Sequence, residues 1–187
     1  MSKKIKVFVS VTNDTSFDQR VHKTCKTLTE SGFDVMLIGR KLPNSIPLQP
    51  QVYKVKRFRL WFNKGPFFYA CYNLRLFWFL LFKKIDILHA NDLDSLLANF
   101  LIKKIKKCEL VYDSHEYFTG VPELTSRPKV QKIWKKMERN IIPHLKYCIT
   151  VNQSIAQLYE EEYKVKFEII RNIPKKSNLI YPNHARN

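Results

Sequence analysis

Apolar positions along this chain keep two rhythms that alternate from end to end. Residues 5–11, Ile-Lys-Val-Phe-Val-Ser-Val, are a short β-branched run with polar ends, the pattern of a strand buried in a parallel sheet. Over residues 17–30 the apolar positions Val21, Cys25 and Leu28 fall on one helical stripe. Ser16 with Gln19 three residues on reads as a capping box, Asp18 suits the positive end of the helix dipole, and Gly32 ends the helix. Residues 33–38 are a second strand, which completes a βαβ unit. Residues 42–50 hold three of the nine prolines and read as a loop, and residues 52–60 alternate as a basic strand.

The most apolar segment is 66–82, PFFYACYNLRLFWFLLF, with eight aromatic residues. Seventeen residues with Asn73 and Arg75 near the centre make a poor membrane span. Two readings stay open for it: a core helix packed on the sheet, or an interfacial helix on an anionic membrane. After 117–128, an irregular loop, residues 127–142 form an amphipathic helix. Val130, Ile133, Trp134, Met137 and Ile141 lie on one side, and Lys129, Lys132, Lys136 and Arg139 on much of the rest. A strand at 147–151, a helix at 153–163 and a last strand at 167–170 follow. The pattern predicts an α/β fold, a doubly wound and mainly parallel Rossmann-like sheet in one domain over 1–174. Residues 175–187 read as a polar tail or the start of an interdomain linker.

The chemistry gathers in residues 85–116. A strand over 85–89 leads through a polar turn into a helix and then a strand over 109–112. A crossover of this length makes the strands parallel, so their carboxyl ends share one edge of the sheet. His89-Ala90-Asn91-Asp92 and Asp113-Ser114-His115-Glu116 therefore arrive at the edge where open α/β sheets bind ligands. The plain alternatives are hydrogen-bonding histidines at strand ends, and aspartates that cap turns or helices.

Charge narrows the partners. Lysine and arginine number 33 against 16 acidic residues, a net +17, which calls for an anionic partner such as phospholipid, nucleic acid or a phosphorylated ligand. From Tyr53 to Lys84 there are eight basic residues and no acidic one. No signature of a DNA- or RNA-binding module is present, so nucleic acid is not expected as a partner. Cys25, Cys71, Cys108 and Cys148 are scattered, without ligand spacing, and read as reduced thiols of a cytoplasmic protein; no metal site is expected. The first βα turn, Thr12-Asn13-Asp14-Thr15-Ser16, lacks the glycines of a phosphate-binding loop. Arg20 and Lys23, one turn into the helix, are either within reach of an anion at the strand edge or part of a solvated face.

The fragments FDQRVHKTCKTLTESGFDVMLIGR, DILHANDLDSLLA, LVYDSHEYF, CITVNQSIAQLYEEEYKV and IIRNIP, in this order, resemble the N-terminal domain of bacterial glycosyltransferases of family 4, half of a GT-B fold. The resemblance implies retaining transfer of a sugar from a nucleotide-sugar donor, a substrate and not a cofactor, to a glycan or lipid-linked acceptor, without a bound metal. It implies that His115 lies near the donor sugar, with Asp113 and Glu116 orienting it as the other candidate catalytic residues. His89, Asn91, Asp92, Arg20, Asn13 and Asn172 are the candidate substrate-binding residues. Glu160 and Glu168 stand at the E-x7-E spacing of the family's donor motif but lie in the first domain, and the match reads as chance. Such a domain is expected to be inactive without a C-terminal donor-binding domain, here or on a separate chain. The competing class is a basic membrane-surface or pairing subunit without chemistry, placed on the inner face of the membrane.

Overall fold

The computed structural model describes residues 4–16 and 18–173; the first residue of the first expected helix, Phe17, and the expected tail at 175–187 lie outside them. Seven strands form one sheet in the order β3-β2-β1-β4-β5-β6-β7, with every pair parallel. They are β1 (Lys6–Asp14), β2 (Asp34–Arg40), β3 (Lys54–Phe58), β4 (Ile87–Asn91), β5 (Glu109–Ser114), β6 (Tyr147–Thr150) and β7 (Glu168–Ile169). The helices are α1 (Gln19–Glu30), α2 (Gly65–Leu81), α3 (Leu93–Ile105), α4 (Pro122–Thr125), α5 (Pro128–Ile141) and α6 (Gln153–Tyr163). The chain first winds outward from β1 through β2 to β3, then returns to place β4 on the other side of β1. That reversal opens a crevice at the carboxyl ends of β1 and β4, the switch point of a doubly wound sheet.

Alternation along each strand divides the core. Val7, Val9 and Val11 of β1 pack with Val35 and Leu37 of β2 against Val21 and Cys25 of α1. Phe8, Ile38, Leu88, Ala90, Leu110 and Tyr112 point the other way, into the core built with α2, α3, α5 and α6. The buried Tyr72 of α2 donates its hydroxyl to Val11 O at 2.7 Å, tying helix to sheet where the strand nears the crevice.

The core reading of residues 66–82 holds: the segment is a helix packed on the sheet. Phe68, Tyr72, Leu76 and Leu80, spaced four apart, are the buried stripe of α2. Phe67, Leu74, Trp78 and Phe82 are 68%, 61%, 52% and 78% exposed on its outer side. Among the described residues no helix is long and apolar enough to cross a membrane.

Several local expectations are corrected. β1 runs on to Asp14, so Thr12, Asn13 and Asp14 belong to the strand and not to a free turn. Asp18, not Ser16, is the N-cap of α1: its carboxylate accepts from Val21 N at 3.1 Å, while Ser16 Oγ is drawn away to Ile46 O. The 117–128 loop contains a 3₁₀ turn at Phe118–Gly120 and the short α4. On α5 the buried positions are Trp134, Glu138 and Ile141, whereas Ile133 is 65% exposed. Glu138 is tolerated there because Thr119 Oγ1 and Tyr163 Oη donate to it at 2.9 and 2.8 Å. All four cysteines are free thiols, three of them buried and Cys71 half-buried.

Candidate functional site

β4 and β5 pair in parallel with Asn91 opposite Asp113, so the residues that follow each strand emerge side by side. Asp92 N donates to Asp113 O at 2.9 Å, which draws the first residue past β4 onto β5. To do so Asp92 takes a positive φ of 59°, unusual for a residue with a Cβ and a local strain of the kind held at functional sites. It occupies the N-cap position of α3, yet its carboxylate makes no bond to that helix. Asp92 Oδ1 instead accepts from His115 N at 3.0 Å, and Oδ2 lies 3.3 Å from His115 Nδ1.

Asp113 is the hub. Its Oδ1 accepts from Arg20 of α1 at 2.6 Å, and its Oδ2 lies 3.4 Å from both His89 Nε2 and His115 Nε2. The last of these is in ion-pair range but off the line of a hydrogen bond, which leaves the buried His115 Nε2 without an aligned acceptor. Burial alone would raise the Asp113 pKa. Close contact with His115 and His89, and their charge, outweigh it and hold the carboxyl well below the usual carboxylate range. For His115, burial would lower the pKa and Arg20 acts in the same direction; contact with Asp113 and the charges of Asp92 and Asp113 outweigh both and raise it. Burial keeps Asp92 above its ordinary value even beside His115. The two carboxylates thus favour the protonated imidazole, with Nδ1 facing Asp92 and Nε2 facing Asp113.

The remaining candidates divide. Asn91 is buried and donates to Ser10 O at 3.0 Å, which ties β4 to β1, while its Oδ1 has no hydrogen-bond partner. Arg20 donates from Nη2 to Asp113 Oδ1, which uses one of its five N–H donors. Glu116 is exposed, outside the Asp92–His115–Asp113 cluster; its backbone carbonyl, not its carboxylate, accepts from Ser114 Oγ. Asn13 is exposed at the end of β1 and meets Asp18 at 3.3 Å. Asn172 Oδ1 accepts from Lys23 Nζ at 3.2 Å, holding the exit of the described chain against α1.

The first βα turn is filled by its own side chains. The Asp14 carboxylate accepts from Ser45, from Ser16 N at 3.0 Å and from Arg57 at 3.2 Å. Gly39 lets it close, because a Cβ there would collide with the Thr15 methyl and stand 3.1 Å from Asn13 O.

Asp94 was not legible as a site residue. It sits in the first turn of α3, where Thr12 Oγ1 donates to it, and burial and the charge of Asp92 push its pKa up to about 7. The only sequence signal was a second carboxylate two residues after Asp92. Among the described residues, no three His, Cys, Asp or Glu side chains are arranged to hold a metal ion.

Residues 18–175 match the family model described as Glycosyltransferase Family 4. The chain belongs to glycosyltransferase family 4. Two solved chains of sucrose-phosphate synthase from Thermosynechococcus elongatus share its fold. One has a TM-score of 0.60 at 12% identity, over 92% of this chain and 90% of that one. The other has a TM-score of 0.65 at 13% identity, over 90% of this chain and 48% of that one. A glycosyltransferase from Rickettsia africae aligns with a TM-score of 0.58 at 14% identity, over 91% of this chain and 43% of that one. The chain thus spans less than half the length of the latter two. No curated protein sequence matches it. The sheet and its flanking helices are those of a GT-B glycosyltransferase domain, and the Asp92–His115–Asp113 cluster lies at the carboxyl ends of β4 and β5, next to the β1–β4 switch point.

Proposed function

We propose that this family 4 domain forms the acceptor-side half of a retaining glycosyltransferase, which moves a sugar from a nucleotide-sugar to an envelope polysaccharide or lipid-linked glycan. The observation that carries the reading is His115, held between the Asp92 and Asp113 carboxylates, which favour its protonated form, with its Nε2 lacking an aligned acceptor. Turned outward, that nitrogen can donate to a sugar hydroxyl, and its charge favours the negative charge that develops as a nucleotide diphosphate departs. Asp113, Asp92 and Arg20 act as positioning residues, since they touch the imidazole or its partner and not the ligand. The reaction is proposed to need no bound metal or cofactor. Because the chain spans 48% and 43% of two solved relatives, this span by itself is expected to show no transfer until a donor-binding half joins it.

The exposed apolar side of α2, beside a basic stretch without acidic residues, supports a peripheral place on the inner face of an anionic membrane. The test is complementation. Cells lacking the chain are supplied with wild type or with His115→Ala, and incorporation of labelled sugar from nucleotide-sugars into lipid-extractable and envelope glycan is measured. Wild type is expected to restore incorporation and His115→Ala to fall by roughly 100-fold or more. Incorporation that ignores loss of the chain, or that His115→Ala restores in full, would overturn the reading.

A further inference from the structure

A groove of about 670 Å³ runs between α2 and α5, roofed by the segment that follows β5. That volume is in the range of small-molecule sites, roughly 300–1,000 Å³. Tyr69, Leu97, Phe118, Trp134 and Met137 make its walls apolar. Val130 and Ile133 of α5 line it as well, which is why they stay open to solvent although the helical pattern marks them for burial.

Its polar lining residues are Asn73, Glu116, Glu123 and Arg127. Glu116, next in chain to His115, lies on the groove wall, and so does Asn73. Asn73 donates to Asp94 O at 2.7 Å and accepts from Ala98 N at 3.1 Å, which fixes that wall to the first turns of α3, the helix that Asp92 begins. One side of the groove therefore ends at Asn73 and at Glu116, one residue along the chain from His115. Its α2 wall starts at Gly65 and Pro66, directly beside the exposed Phe67, which packs on Phe62 with ring centroids 5.5 Å apart. Trp61, the residue before Phe62, is 90% exposed.

An occupant matching these features is apolar along most of its length and carries a hydroxyl-rich head without net negative charge, because carboxylates and an amide bond hydroxyls well and the carboxylates of Glu116 and Glu123 outnumber the one guanidinium of Arg127. We propose that the α2–α5 groove binds the hydrocarbon chain of a glycolipid acceptor and directs its sugar head past Glu116 and Asn73 to His115. This rests on the transfer reading for the role of the ligand, but the binding itself needs neither donor nor turnover.

Trp134 in the wall provides the readout, since the chain has three tryptophans and the other two, Trp61 and Trp78, are exposed. In a Trp61→Phe/Trp78→Phe background, an alkyl glucoside brominated at the end of its chain is titrated below its micelle concentration. Saturable quenching of Trp134 is expected, reversed by the unbrominated alkyl glucoside and not by glucose. Ile133→Asp puts a charge on the wall at a 65% exposed position, and it should weaken binding at least 10-fold with an unchanged melting curve. Absence of saturable quenching, or quenching indifferent to Ile133→Asp, overturns the proposal, including the case in which a protein segment fills the groove. Quenching with no sugar incorporation in the complementation assay would sink the transfer reading alone; incorporation without quenching would sink the groove alone.

Discussion

At the scale of single residues the site is an arrangement of charges that need each other. Asp113 is 4% exposed at its side chain and Arg20 17%, so their pair is shielded from water and salt. Replacing Arg20 by Met removes one partner and leaves the carboxylate to the two imidazoles. Urea denaturation should show a loss of about 3 kcal/mol; a loss within 0.5 kcal/mol, roughly the size of an ordinary surface change, would mean the pair is a solvated contact. Asp94 behaves in the opposite sense. Its pKa is about 7 in the fold against an ordinary 3.8, so between these values the folded state holds more protons than the unfolded one. Its contribution to stability therefore falls as pH rises from about 4 to about 7 and is level above that. Asp94→Asn keeps an acceptor for Thr12 and cannot ionise, so its stability relative to wild type should climb across that window. Denaturation at four pH values checks this, and a constant difference would contradict it. Neither residue's partner is adjacent in sequence: Arg20 lies 93 positions from Asp113, and Thr12 lies 82 from Asp94. Types and spacing marked the acidic and histidine clusters, but which cation would face them is decided by α1 packing across the sheet.

At the scale of elements, the alternation of apolar rhythms was enough to find the helices and strands, because each buries one face and its period follows. Boundaries failed where polar residues are satisfied at a distance. Thr12 to Asp14 look like a turn, yet β1 continues there because Asp14 pairs with Arg40 across a register shift and its carboxylate meets Arg57 of β3. The α5 pattern marked Val130 and Ile133 for the core and missed Glu138. The groove takes the first two, and Glu138 is buried through Thr119 and Tyr163, which no local pattern reveals. Asn91 was legible as a residue at the strand end, but not its inward direction toward Ser10. α2 carries the prediction for this scale. Changing Trp78 and Phe82 to Ser leaves the buried stripe Phe68, Tyr72, Leu76 and Leu80 intact, so the fold should persist. Flotation with vesicles containing anionic lipid should fall severalfold for this variant, and binding of the wild type should weaken as salt is raised. Equal flotation of variant and wild type would assign the exposed face of α2 to some other contact.

At the scale of the whole molecule, the parallel sheet turns two separate stretches of sequence into one site. β4 and β5 end level with each other, Asp92 crosses to β5 in a strained conformation, and His115 is left between two carboxylates while α1 delivers Arg20 from the opposite face. Family 4 membership and the GT-B-like architecture are the setting for the sugar chemistry we propose at this cluster. If the geometry is right, His115 must be more basic than a free histidine, whose ordinary pKa is 6.5, and the excess must come largely from Asp113 and Asp92. The most direct measurement is an NMR titration of the His115 Cε1 proton, assigned by its loss in His115→Gln, in the wild type and in Asp113→Asn. The predicted result is a midpoint above 6.5 that drops in Asp113→Asn. A midpoint at or below the ordinary value, unmoved by that substitution, would mean that the two strand ends do not meet around His115.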